Sequence, residues 1–361
     1  MKQRVYYLDF LKIAAMLMVV LSHCLMEYKP NDFYSSIGFN AIWLLQMPLF
    51  MFISGYLQNN KSKDKSFKDL AIYLGKKFLI YMIPFITFII LSVWQLTGNP
   101  TFVSYFKALW NQTKNIVFCI DNSLWFCFVL FILTCQFSIS RFISIKLQNK
   151  FKNKYTDLMS FIIQYILFIL VVALIGFKVS FDFLGAKYIL YYSVIYYFGY
   201  IYKEWFENII LNKLTNKKQA ITQWSIFAAS SIIFIVIICV FKSIYQFNDF
   251  DIVEASIRMI GSISGMLSCY LFAKLIISKI KSKFTLGKLS LEFYFIHILM
   301  LRMIKLPIIS SEELTVLISF IIITIVTLGV SILTNMIPFV HYAIFGSKPN
   351  IVLFPKKSKT I

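Results

Sequence analysis

Runs of about twenty apolar residues, separated by short lysine-rich stretches, recur along the whole chain, which is the pattern of bilayer-crossing helices. Ten runs are predicted, at 8–28, 39–57, 78–97, 122–141, 158–177, 187–203, 223–242, 253–274, 289–305 and 313–341. A closed β-barrel would show ten-residue segments of alternating polarity, and none is visible. The expected fold is therefore all-α, a polytopic transmembrane helix bundle. Between the third and fourth runs, TFVSYFKALWNQTKNIVFCID interleaves aromatic and polar residues. That piece is expected along the outer interface, as an amphipathic or re-entrant segment.

The first run breaks its own pattern. Within LDFLKIAAMLMVVLSHCLM, Lys12 and His23 stand where hydrocarbon-facing residues belong. Eleven residues make just over three helical turns, so both side chains lie on nearly one face, ~16 Å apart along the axis. Ionisable groups in a span are costly and by default mark a functional path. The bland readings are that His23 hydrogen-bonds a neighbouring helix and that Lys12 snorkels to the headgroups.

Composition agrees with the pattern. Of 361 residues, 59% are hydrophobic and only 14% charged, too few to clothe a soluble surface, which carries about 25%. The net charge of +20 is a statement about topology rather than about nucleic acid. With a cytoplasmic N-terminus, 27 basic residues fall on the inner side and eight on the outer, leaving Arg258 inside a span. That asymmetry obeys the positive-inside rule, and both termini are expected in the cytoplasm. The expected partners are the bilayer and its anionic lipids, with no nucleic acid.

One integral-membrane domain covering 1–361 is expected, with a short cytoplasmic tail at 342–361. The first run has a basic flank but no small-residue cleavage site, so it reads as a retained span rather than a signal peptide. No internal repeat appears, which counts mildly against a secondary transporter. Cys24, Cys119, Cys127, Cys135, Cys239 and Cys269 are scattered without metal-type spacing. They read as packing residues, and no metal is expected.

Other polar residues in apolar runs each have two readings. His297, in LEFYFIHILM, is an interhelical hydrogen-bonder or a site residue. Glu292 lies ~140° around the helix from it, so the two do not pair within that helix. Arg258 follows Glu254 by four residues, a favourable ion-pair order; the alternative is contact with a phosphate-bearing acceptor. Trp125, preceded by Asp121 and Asn122, belongs to an aromatic belt or stacks on a sugar. His341 is expected at the inner interface.

Several short motifs, in order, resemble the acyltransferase 3 family of membrane enzymes that O-acylate bacterial surface sugars. The likeness covers essentially the whole chain. It rests on the basic-x10-histidine pattern of Lys12 and His23, on LLQMPLFMFISGYL at 44–57, and on GKKFLIYMIPF ending at Pro84. LWFCFVLF at 124–131, FGYIYKEW at 198–205, LGKLSLEFYFIHILML at 286–301 and FGSKP at 345–349 continue it. One departure stands out. The family's third motif often carries a further arginine after its basic pair, whereas here Lys76 and Lys77 are followed by Ile80 and Tyr81. Lysine binds phosphate as a point charge, without arginine's fork.

The resemblance implies an O-acyltransferase, most simply an O-acetyltransferase, in the bacterial cytoplasmic membrane. It would carry an acyl group from cytoplasmic acetyl-CoA, a co-substrate rather than a bound cofactor, to a hydroxyl of a surface polysaccharide or lipid-linked sugar. His23 and Lys12 would be catalytic and Lys76 and Lys77 would bind the donor. His297, Trp125 and Arg258 would contact the acceptor or shape the site. Direct transfer and an acyl-histidine intermediate both remain open. A different class, a polysaccharide or lipid-linked-sugar transporter or flippase, fits the composition equally well. It differs in needing charges spread along a pore rather than gathered on the Lys12–His23 face.

Overall fold

In a computed structural model, the described residues are 6–29, 36–58, 66–97, 101–118, 125–151, 156–241, 243–246, 251–279, 286–308 and 311–349. They form twelve α-helices and no strand. In chain order these are α1 (Tyr6–Tyr28), α2 (Ile37–Tyr56), α3 (Phe67–Thr97), α4 (Phe102–Phe118), α5 (Trp125–Phe151) and α6 (Thr156–Lys178). The second half holds α7 (Ala186–Ile201), α8 (Asn216–Val240), α9 (Ile252–Leu275), α10 (Ser290–Met303), α11 (Glu312–Met336) and α12 (Pro338–Phe345). Among the described residues eight helices, α1, α2, α3, α5, α6, α8, α9 and α11, are long and apolar enough to cross a membrane. The bundle is all-α and polytopic.

Each predicted run falls on a helix, with two adjustments. The run 78–97 is the apolar part of a longer helix that starts at Phe67. The run 313–341 is two helices: α11 stops at Met336, and α12 begins with Pro338 in its first turn. Proline lacks the amide hydrogen and clashes with the preceding turn, which favours a break there, although Pro48 and Pro84 are accommodated inside α2 and α3. Helices α7 and α10 are short, at 16 and 14 residues. The chain leaves α7 through a π-helical stretch, Tyr202–Ile210. Helix α4 exposes Phe102, Val103, Phe106 and Trp110, as an interfacial helix would.

Position within the bundle follows from what each helix can hide. Of the apolar window of α2, 67% is buried inside the protein, against 11% for α6 and 17% for α8. The outer faces of α6 and α8 are therefore left for lipid. Helix α1 sits centrally, packed against α2, α9, α10, α11 and the turn 286–289. Two glycines set the closest contact. A Cβ at Gly55 would lie 1.8 Å from the Tyr196 carbonyl oxygen, and one at Gly199 would lie 2.2 Å from that of Phe52. Only glycine lets the α2 and α7 backbones meet in this way. Likewise a Cβ at Gly287 would lie 2.7 Å from Asp9, so the GKLS turn seats directly on the first turns of α1.

Candidate active site

The lysine-rich end of the bundle carries 66–77, 203–218, 274–279 and 345–348; Lys12 lies toward it and His23 toward the opposite end. His23 faces α10. Its ring centroid is 5.5 Å from that of His297, with the planes tilted by 42°. Two histidines that are 274 positions apart in sequence thus form one pair. Next to it, the Ser22 hydroxyl donates to Gln46 Oε1 of α2 at 2.9 Å and fixes the rotation of α1 about its axis.

Hydrogen bonding sets the state of the pair. His297 Nδ1 lies 3.1 Å from the Phe293 carbonyl oxygen, with the Tyr294 backbone also within hydrogen-bonding reach of the ring. A carbonyl only accepts, so Nδ1 carries the hydrogen. In the neutral ring Nε2 then holds a lone pair, and it has no hydrogen-bond partner among the described residues, although His297 is 1% exposed. His23 likewise makes no hydrogen bond with a described residue, and it remains partly accessible. Buried polar nitrogens are normally satisfied. Two adjacent imidazoles with open nitrogens can take up and pass on a proton.

A chain of aromatic side chains leads away from the pair. Tyr294 lies 6.0 Å from His297 and 5.4 Å from Phe126, which in turn lies 5.6 Å from Phe50. Trp125 stacks on Tyr188 at 4.2 Å and on Tyr192 at 5.0 Å. Its indole packs between helices instead of standing alone in an aromatic belt. At the far end of α1, Tyr28 Oη accepts from the Leu306 amide at 3.0 Å, and Glu27 meets Lys305 at 3.8 Å. These contacts hold the exit of α10 beside α1, and the Arg302 guanidinium lies within Coulombic reach of His23. In the sequence Arg302 reads only as an outer positive charge, with nothing to single it out.

The remaining candidates separate. Lys12 stays about three turns from His23, one turn past the Asp9 contact with Gly287, so the two meet only through something that spans them. Lys77 turns inward, its Nζ 5.6 Å and 5.5 Å from the ring centres of Tyr73 and Tyr81, and Tyr73 hydrogen-bonds to Ser138 on α5. Lys76 is exposed. Arg258 lies on α9, where its carbonyl oxygen accepts from Tyr191 at 3.3 Å. His341, expected at the inner interface, is 0% exposed and lies beside the 345–348 stretch of the lysine-rich end. Its Nε2 lies 3.0 Å from Glu292 Oε1 and its Nδ1 donates to the Ser347 carbonyl at 2.8 Å. Burial lowers its pKa, but the Glu292 carboxylate and the Ser347 carbonyl outweigh that and leave it raised.

A second polar cluster, invisible in the motifs, sits at the lysine-rich end. Glu207, within the π-helical stretch, accepts from Tyr56 Oη at 2.8 Å, from Tyr270 Oη at 2.7 Å and from Lys274 Nζ at 2.6 Å. Irregular helical turns of this kind often mark functional positions. Here Tyr56, Tyr270 and Lys274 tie α2 and α9 to the exit of α7 through Glu207. No group of residues suited to hold a metal occurs among the described residues.

The family model described as an acyltransferase domain matches residues 5–336, nearly the whole chain. No curated protein and no solved structure matches the sequence.

Proposed function

The chain belongs to the acyltransferase 3 family, and we propose that it moves an acyl group, acetyl in the simplest case, from cytoplasmic acyl-CoA to a sugar hydroxyl on the outer side. The observation that carries this reading is the His23–His297 pair, with an imidazole nitrogen left open inside the bundle. Membership of the family makes the protein a membrane acyltransferase; the donor, the acceptor and the roles of single residues are the reading put forward here.

A neutral imidazole is the natural base at neutral pH. His23, the more accessible ring, takes the proton of the sugar hydroxyl as that oxygen forms a bond to the thioester carbonyl. The tetrahedral intermediate then collapses with loss of the CoA thiolate, which recovers the proton from the imidazolium. His297, held by Phe293, keeps the His23 ring in place and stabilises its charged form through its open Nε2. Lys77 and Lys12 line the donor's way in from the lysine-rich side, which the positive-inside rule places in the cytoplasm. An anionic CoA suits that side. The acceptor, a surface polysaccharide or lipid-linked sugar, enters from the end that carries Trp125, Glu27 and Arg302, the outer face of a bacterial cytoplasmic membrane.

Membranes containing the protein, incubated with labelled acetyl-CoA, test the reading. Label is expected to pass to surface glycan with the wild type and to stop with His23→Ala, while the variant stays inserted at the same level. Unchanged transfer in His23→Ala removes that residue from the mechanism. Glycan movement with no dependence on acyl-CoA would favour a transporter instead.

A further inference from the structure

The three cations at the far end of α1 and α10 differ in one respect. Lys305 is paired with Glu27, and Lys29 forms an ion pair with Glu313. Arg302 has neither a carboxylate within ion-pair distance nor a hydrogen-bond partner among the described residues. The nearby carboxylates are taken by lysines. The remaining cation is the one with a planar, two-pronged donor edge.

Its place is also specific. Arg302 lies five residues beyond His297 on α10, and the Tyr28–Leu306 and Glu27–Lys305 contacts hold that end of the helix against α1. Its side chain is exposed, yet its charge is felt at His23. A cation so placed stands at the open end of the bundle and within Coulombic reach of the reacting imidazole. Arg258, the arginine that the sequence offers for acceptor contact, sits instead on α9 beside Tyr191.

We infer that Arg302 clamps an oxyanion of the acceptor, a carboxylate or phosphate, and so selects negatively charged glycans and orients the sugar hydroxyl toward His23. This rests on the acyl-transfer reading of the histidine pair. A guanidinium binds either oxyanion through two parallel hydrogen bonds, which fix direction as well as affinity. Arg302 acts by positioning; it takes no part in the proton transfer. A phospholipid headgroup offers the same oxyanion, so the experiment has to separate lipid from glycan.

The full chain in nanodiscs of zwitterionic lipid is given two matched acceptor pairs. One pair is tetragalacturonate and its carboxyl-reduced tetragalactoside; the other is N-acetylglucosamine 1-phosphate and N-acetylglucosamine. Binding is measured by titration and transfer from labelled acetyl-CoA. The wild type is expected to prefer the charged member of at least one pair by about tenfold or more, the size of a charge-assisted hydrogen bond. In Arg302→Gln that ratio should collapse to about twofold, through KM for the acceptor, with Arg302→Lys in between. The proposal is overturned if the wild type shows no charge preference, or if Arg302→Gln keeps it. It is also overturned if anionic lipid added to the nanodisc abolishes the wild-type preference, since the guanidinium then belongs to a headgroup. Binding that keeps its charge preference with no transfer from any acceptor would defeat the transferase reading and leave the clamp standing.

Discussion

The Glu207 cluster and the histidine pair treat buried polar groups in opposite ways. At the lysine-rich end, Glu207 is met by two tyrosines and a lysine, each from another part of the fold. Toward the other end, His297 Nε2 has no partner among the described residues, His23 makes no hydrogen bond with them, and Arg302 has no counter-ion among them. An unmade buried hydrogen bond costs about 1–3 kcal/mol. Keeping open nitrogens beside each other is therefore a structural expense with no return in folding. The contrast separates polar groups that hold helices together from polar groups kept ready for a substrate.

The sharpest way to break the contrast is to change one group at each end. His297→Asn should lower transfer by about 10²–10⁴-fold, the range for losing a positioned acid–base partner. Its thermal stability in detergent should hardly move, because the ring's hydrogen bonding is to the backbone of its own helix, at Phe293 and Tyr294. A large fall in stability with normal activity per folded molecule would turn the pair into a packing device. Glu207→Ala should do the reverse. It strands Lys274 and two tyrosine hydroxyls and should cost about 3–5 kcal/mol, the penalty for removing one partner of a buried pair. Activity per folded molecule should persist. Glu207→Gln, whose single amide oxygen can still accept from one of the two tyrosines, should fall between wild type and alanine; if alanine and glutamine both retain full stability, the cluster does not hold α7 to α2 and α9.

Much of this architecture was legible in residue order. Hydrophobic runs located ten helices, of which eight among the described residues are long and apolar enough to cross a membrane while α7 and α10 are too short, and the interleaved piece near 101–121 formed the amphipathic α4. Hydropathy missed the lysine-bearing start of α3 at Phe67, and it missed the break at Pro338 in the last run, where the residues on both sides are apolar. The site was only half legible. His23 announced itself by its cost inside a span and its spacing from Lys12. That His297 would meet it was beyond reach, because no local rule relates positions on α1 and α10. Glu207 and Arg302 were hidden for a different reason. Glu207 lies in a polar stretch where a glutamate is unremarkable, and Arg302 looked like one more charge outside the membrane. Burial and pairing in three dimensions, not residue type, set them apart. The glycines of ISGY and FGY carry the opposite lesson: two separate short motifs are the two halves of one backbone contact.

The smallest expected effect concerns a pair that sequence treats as equal. Lys76 and Lys77 are adjacent, so on a helix their side chains diverge by about 100°. Lys77 lies against Tyr73 and Tyr81 on the side of α3 facing α5, and Lys76 is exposed on the other. If the donor's phosphates are held inside the bundle, Lys77→Ala should raise KM for acetyl-CoA about tenfold, near the 1.4 kcal/mol of one charge-assisted contact. Lys76→Ala should change it by about twofold or less, since an exposed lysine acts mainly on anionic lipid and is screened by salt. KM for the acceptor should stay constant in both variants. Equal rises in KM would mean that the phosphates bind outside the helices along the basic loop, and the inward turn of Lys77 would then be a packing arrangement of two tyrosines around an aliphatic stem.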